Sequence, residues 1–260
     1  MLLEPSLPLG GKHIVWTGPV QTRSFDDPLQ KAGAVVHHIP LIQFEAVAFS
    51  LPSRKPNWLF FTSQTAVHYF FSQVDPASIT CPVGVVGRKT QEALQTYHLE
   101  AAFVPDDFTA ENAARQWCQS NSQALAGSEL HVLWPCGNLA NPAFKKILEQ
   151  NQVAVRPLCV YKTLPVSKLP PNAIELFQKE IHYLVFTSPS AIEVCKQAIE
   201  AGKKGSPQNS FTLPESLQSF PVACIGPTTA EAARQYFTRV NIVPQVHTAE
   251  ELATAILKES

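Results

Sequence analysis

The stretch CIGPTTAEAA, residues 224–233, reads as a corner between a strand and a helix. An apolar run ends on Gly226, which lacks a Cβ and lets the backbone turn tightly or approach a neighbour closely. Pro227 follows at the point where strand gives way to helix. Thr228, Thr229 and an Ala/Glu-rich tail then continue as helix. The stretch VVGRKTQEAL, residues 85–94, repeats the pattern: an apolar pair, Gly87, Arg88, Lys89, Thr90, one residue, then Glu and Ala. Gly87 and Gly226 are 139 residues apart, and so are Thr90 and Thr229.

The repetition extends outward from this corner. FFTSQTAV, residues 60–67, matches VFTSPSAI, residues 185–192, with Ser63 and Ser188 separated by 125. FTAENAA, residues 108–114, matches HTAEELA, residues 247–253, again at 139. HIVWTGP, residues 13–19, matches HVLWPCG, residues 131–137, with Trp16 and Trp134 separated by 118. The last growth in offset is local: Ser63 to Gly87 is 24 residues, whereas Ser188 to Gly226 is 38. The extra length falls in residues 202–219, a polar stretch rich in Gly, Pro and Ser that reads as a loop. A period this long is too large for a solenoid and fits two copies of a domain-sized unit.

Within each copy, short apolar runs (KHIVWT, WLFFTS, PVGVV, LHVLW, HYLVFTS, PVACIG) lack clean alternation, as strands buried on both faces of a parallel sheet do. Helix signals follow them. Ser188 and Pro189 supply an N-cap and a first-turn proline, and Thr248 with Glu251 forms a capping box. Strand and helix in alternation predict an α/β fold with two doubly wound parallel sheets. Two extended segments, residues 35–56 and 153–171, exceed the usual strand–helix connection and read as crossings between domains. The expected organisation is therefore a discontinuous lobe, 1–40 plus 172–260, and an inserted lobe, 41–165.

Composition narrows the function. Of the residues 45% are apolar and 16% charged, ordinary for a globular core, and the net charge is −1. Neither a broad basic field for nucleic acid nor a membrane span is expected, so an anion site must be built locally. The opening MLLEPSLPLGG has no basic start and no long apolar core, so a cytoplasmic location is expected. The six cysteines show no Cys-x-x-Cys spacing and read as reduced, mostly buried thiols. His37 and His38 alternate faces of an extended run and cannot both face one metal ion.

All the repeated signals sit at the carboxyl ends of strands, where open α/β sheets bind ligands. Thr62-Ser63, Gly87-Arg88-Lys89-Thr90, Ser188-Pro189-Ser190 and Gly226-Pro227-Thr228-Thr229 each open a helix whose free N–H groups and partial positive charge favour a carboxylate or phosphate. For any single residue, capping alone explains a Ser or Thr there; the paired recurrence is the signal. Nucleotide loops and the hydrolase elbow are missing from the sequence.

Seven segments in order, FFTSQTAV, VVGRKTQEAL, VPDDFTAENAA, CVYKT, LVFTSPSAI, ACIGPTTAEAA and VHTAEELATAIL, resemble the uroporphyrinogen-III synthase family over nearly the whole length. The resemblance implies two flavodoxin-like lobes joined by a two-stranded linker, with the active site between them. It implies conversion of hydroxymethylbilane, a linear tetrapyrrole with eight carboxylates, to uroporphyrinogen III, with loss of water and inversion of ring D. It implies no metal or organic cofactor, a monomer, and transient contact with the preceding pathway enzyme. It also places Tyr161 at the site, hydrogen-bonding or protonating the departing hydroxyl. At the local offset of 119 the counterpart of Tyr161 is Ile42, so the phenol is not part of the repeat. Where the family often carries an Arg, this chain has Gly18 and the run PCGNLANPAF, while Arg88 and Lys89 add charge at the first Gly-x-x-Thr. A two-lobe protein that binds an anionic small molecule without turnover, or an inactive relative of the synthase, is the alternative.

Overall fold

A computed structural model describes residues 7–19, 22–125, 130–179, 181–204 and 211–259. In chain order the elements are β1 (His13–Trp16), α1 (Arg23–Lys31), β2 (Val35–His38), β3 (Ile42–Ala46), β4 (Trp58–Phe61), α2 (Gln64–Phe71), β5 (Val83–Val85), α3 (Arg88–Gln95), α4 (Ala110–Ser120) and α5 (Ser122–Leu125). There follow β6 (His131–Gly137), α6 (Ala143–Gln150), β7 (Ala154–Pro165), α7 (Ala173–Phe177), β8 (Tyr183–Phe186), α8 (Pro189–Lys204), β9 (Val222–Cys224), α9 (Pro227–Arg234), β10 (Val240–Ile242) and α10 (Ala249–Glu259). The chain divides into two compact units, residues 1–43 with 164–260, and residues 44–163.

The first unit carries a sheet in the order β10-β9-β8-β1-β2, with parallel pairing throughout. Short strands with little alternation fold this way because each face is covered. Val15, Leu184, Phe186, Val222 and Cys224 enter the core that faces α7, α8 and α9. Their neighbours Ile14, Trp16, Val185 and Ala223 enter the opposite core, against α1 and α10. Every strand residue of this set is at most 4% exposed, which is why the apolar runs look continuous in sequence.

The second unit carries a sheet in the order β3-β7-β6-β4-β5, and the bridge from Gly84 to Phe103 extends it by one further parallel position. Leu59, Phe61, Val83, Val85 and Leu133 face α2 and α3, while Phe60, Val132, Trp134 and Cys136 face α4 and α6. The echoed strands occupy the same places in both sheets: β2, β1, β8, β9, β10 in one, and β7, β6, β4, β5 and Phe103 in the other.

Residues 35–56, read from sequence as one extended crossing, contain two strands. β2 pairs in parallel with β1. β3 lies beside β7, and the bonds flanking it, Val166 N–H to the Leu41 carbonyl and Val47 N–H to the Val160 carbonyl, mark an antiparallel pair. The expected loop at 202–219 starts later than its composition suggests, because α8 continues through Gly202 to Lys204. Residues 205–210 of it lie outside the described residues, and Glu215–Ser219 form a 3-10 turn.

The adjacent histidines of β2 do face opposite sides. His38 Nε2 lies 2.9 Å from Asp26, and His37 Nε2 lies 2.8 Å from His13 Nδ1 with the rings stacked. Burial lowers the His37 pKa, helped by repulsion from His13, Lys179 and His38. Protonation therefore opposes folding. The His37 contribution is complete above its ordinary pKa of about 6.5 and is lost as pH falls toward the lowered folded value. Thermal melts below about pH 6.5 should show a falling Tm in the parent and a shallower fall in His37→Asn; identical slopes would remove His37 from the acid response.

Candidate active site

Each sheet ends in corners built by the repeated residues. Ser63 caps α2, its Oγ accepting from the Ala66 N–H at 3.1 Å, and Ser188 caps α8 by accepting from Ala191 at 3.3 Å. Thr109 and Thr248 cap α4 and α10 in the same manner, at 3.2 Å each. The recurrence of Ser and Thr thus has a structural cause in all four places. A capping hydroxyl accepts with one lone pair and keeps its proton to donate, so capping and ligand binding are compatible. Ser188→Ala should cost about 1 kcal/mol of stability through the lost cap, read by denaturant unfolding; an unchanged midpoint would show that the cap contributes nothing.

Gly87 and Gly226 immediately precede α3 and α9, but neither makes a left-handed turn: their φ values are −160° and −168°, open to any residue. The tight-turn reason given for them from sequence is corrected accordingly. What distinguishes Gly226 is crowding, since a Cβ there would meet the His247 ring at 3.1 Å, whereas at Gly87 the Phe108 side chain stands at an ordinary 3.5 Å. Phe108 and His247 are themselves echoed residues, each just ahead of a capping Thr. Arg88 stacks over Phe108 with its guanidinium 5.8 Å from the ring centroid, and both Arg88 and Lys89 are exposed. Thr90 and Thr229 are buried, at 6% and 4% exposure, in the first turns of α3 and α9. Thr62 accepts from the Trp134 indole at 3.1 Å. The matching Thr187 Oγ1 and Trp16 Nε1 lie 2.9 and 2.7 Å from where a Gly18 Cβ would stand, so the glycine at that corner is needed for close packing. Pro189, Ser190, Pro227 and Thr228 occupy the first turns of α8 and α9.

Tyr161 lies on β7 in the second unit, close enough to Ser63 for the serine hydroxyl to act on its phenol. The register between β6 and β7 shifts just before it: Cys136 pairs with Cys159, but Gly137 pairs with Tyr161. The shift carries the ring across the end of β6, with Cζ 2.6 Å from where a Gly137 Cβ would be. Tyr69 stacks on one side at 5.4 Å and Phe44 meets the ring edge-on at 5.4 Å. Asn138 fixes the strand beneath. Its N–H donates to the Tyr161 carbonyl at 3.2 Å, and its Oδ1 accepts from the Thr163 N–H at 2.7 Å. Burial raises the phenol pKa, while the hydrogen bond with Ser63 opposes the rise. The group is therefore a neutral O–H donor across the physiological range.

Sequence reasoning reached Tyr161 and Ser63 separately but not their contact. It missed Phe44, Tyr69 and Gly137, for which the only signal was the Gly closing HVLWPCG. Asn138 stood out in sequence only as a place without Arg; here it is a strand clamp. The buried thiols of Cys118 and Cys136 are pushed up to about 11 and that of Cys224 to about 12 by burial, so they are poor nucleophiles. Among the described residues, no group of three His, Cys, Asp or Glu side chains could hold a metal ion, and no helix is long and apolar enough to cross a membrane. Two cavities, of about 260 and 410 Å³, lie at the amino ends of the strands in the second and first units, away from the corners.

Comparison with known proteins places the whole chain beside one group of relatives. The chain is 25% identical to a uroporphyrinogen-III synthase of Synechococcus elongatus, with 96% of each chain covered. It is 24% identical to a porphyrin biosynthesis protein HemD of Ruminiclostridium josui, of which it spans 49%. In fold it matches uroporphyrinogen III synthases of Helicobacter pylori (TM-score 0.64, 16% identity) and Thermus thermophilus (TM-score 0.62, 15% identity, a mutant form), covering 96% of this chain and 100% of theirs in both cases. The profile described as Uroporphyrinogen-III synthase HemD matches residues 24–254, across both units, and the chain belongs to that family.

Proposed function

We propose that this protein is a uroporphyrinogen-III synthase that closes hydroxymethylbilane to uroporphyrinogen III, with Tyr161 assisting departure of the hydroxyl. The observation that carries the reading is the family match over residues 24–254, supported by a neutral phenol held at Ser63 beside Gly137. The C–O bond breaks with its electron pair on oxygen. The oxygen leaves as water after taking a proton from the Tyr161 side, and the adjacent pyrrole nitrogen stabilises the cation left behind. Ring D then attacks through the spiro intermediate, and the proton lost on rearomatisation balances the one delivered.

The remaining task is orientation. The bilane closes without help to the uninverted isomer, so the protein gains selectivity by holding its carboxylates while ring D turns. In this reading Thr62, Ser63, Gly87, Arg88, Lys89 and Thr90 serve on the second unit. Ser188, Pro189, Ser190, Gly226, Pro227, Thr228 and Thr229 serve on the first, through backbone N–H groups at helix starts and through hydroxyl donors. The two lobes descend from an internal duplication, since echoed strands hold equal places in both sheets. The reaction needs no cofactor, and the chain acts on a free small molecule as a monomer in the cytoplasm, receiving its substrate from the preceding enzyme. The decisive test supplies freshly generated hydroxymethylbilane and resolves the oxidised porphyrins by isomer. Mainly the III isomer is expected; only the uninverted isomer at the spontaneous rate would overturn the assignment.

A further inference from the structure

At the amino ends of the first unit's strands, opposite the Ser188 and Gly226 corners, lies a cavity of about 410 Å³. It runs along consecutive members of the sheet. Lys12 immediately precedes β1, His182 precedes β8, Pro221 precedes β9 and Arg239 precedes β10. Among the described residues, its lining contains three basic side chains, Lys12, His182 and Arg239, and no acidic one. On a chain of net charge −1, that concentration of one sign is a local feature and not a property of the whole surface.

The basic groups are placed by backbone bonds. The Arg239 carbonyl accepts from the Val222 N–H at 2.8 Å, and the Pro221 carbonyl accepts from Leu184 at 2.8 Å. Thr238 ties the start of β10 to the 3-10 turn, its N–H and hydroxyl both donating to the Gln218 carbonyl, so Ser219 and Phe220 form a fixed wall beside Arg239. His182 Nδ1 accepts from the His13 N–H at 3.1 Å, which puts the ring proton of the neutral form on Nε2 as a donor. Among the described residues, no carboxylate forms a salt bridge with Lys12 or Arg239. The nearest acid on the 3-10 turn, Glu215, is taken by Lys203 at 2.7 Å.

From this we infer that the cavity is a binding site for a small polyanion carrying at least two carboxylate or phosphate groups on a compact body. Strands lie ~4.8 Å apart, so β1 and β10, three positions apart in the sheet, start ~14 Å from each other. A single anionic group engages one end of that span; two or more are needed to use Lys12, His182 and Arg239 together. Arg239 offers a planar fork and Lys12 a compact charge, the pairing suited to separate anionic groups on one ligand. Phe220 and Ile181 provide apolar contact for the body between them. The site is independent of the proposed reaction, because none of its residues belongs to the corners or to the Tyr161 cluster.

Calorimetric titration of the full chain with pyrophosphate, citrate and inorganic phosphate at matched ionic strength tests this, and it separates phosphate from carboxylate recognition. Saturable one-to-one binding of pyrophosphate or citrate is expected, ~10-fold or more tighter than inorganic phosphate. The double variant Lys12→Gln/Arg239→Gln, whose side chains are outside the core, should lose that advantage, and Ser188→Ala should keep it. Polyanion binding unchanged in the double variant would overturn the site, as would no binding beyond that of inorganic phosphate. Loss of binding in Ser188→Ala alone would move the ligand to the corner.

Discussion

Tyr161→Phe is expected to lower the rate of uroporphyrinogen III formation by about 100-fold, the low end of what a positioned proton donor contributes. The substitution is conservative where packing is concerned. The ring keeps Tyr69 stacked on it, Phe44 at its edge and Gly137 beneath it. Ser63 keeps its bond from the Ala66 N–H, so α2 stays capped. Only the O–H and its link to Ser63 are lost. That link is needed chiefly when the hydroxyl departs, so kcat should fall while KM changes little. The slowed enzyme then competes poorly with spontaneous closure, and the uninverted isomer should rise in the product. Because the phenol pKa is raised, the parent should show no Tyr161-linked loss of rate on the alkaline side below about pH 10. Full turnover to the III isomer in Tyr161→Phe would mean that the phenol only packs.

The corners were legible in sequence because two copies of one pattern reinforce each other. Gly226-Pro227 and Ser188-Pro189 announce helix starts by local chemistry alone, and α9 and α8 begin where those signals stand. The strands were legible for a related reason: burial on both faces leaves apolar runs that survive without any knowledge of the partner strand. The Tyr161 cluster was not legible, because nothing local produces it. Phe44, Tyr69 and Gly137 come from three elements, β3, α2 and β6, with Ser63 at the cap of α2, and the ring reaches them only through a register shift at Cys136 and Gly137. A bulge has no composition of its own when the residues around it are ordinary strand formers. The role of Gly87 was over-read for the opposite reason. A glycine at a strand end suggests a tight turn, but the backbone there is extended, at φ −160°, and open to any residue.

Gly137→Ala should reproduce most of the Tyr161→Phe defect without touching any group that contacts substrate in the proposed reaction. An added methyl would lie 2.6 Å from the tyrosine Cζ and 2.8 Å from its hydroxyl oxygen, too close to coexist with the ring. The ring cannot simply tilt away, because Tyr69 and Phe44 hold it from other sides. The strand below cannot easily drop, because Asn138 bonds to the backbone at both Tyr161 and Thr163. Overpacking of this kind costs about 1–3 kcal/mol, to be read as a lowered denaturant midpoint. The hydroxyl should also leave Ser63, giving a rate loss of about 10- to 100-fold, within the range for a misplaced catalytic group. The double variant Gly137→Ala/Tyr161→Phe separates displacement from general damage. Once the hydroxyl is gone, moving the ring has little left to remove, so the double variant should turn over about as slowly as Tyr161→Phe alone. Multiplicative losses would show that Gly137 acts on the reaction by a route other than the phenol, and full activity in Gly137→Ala would show that the ring's position across the end of β6 is immaterial to the chemistry.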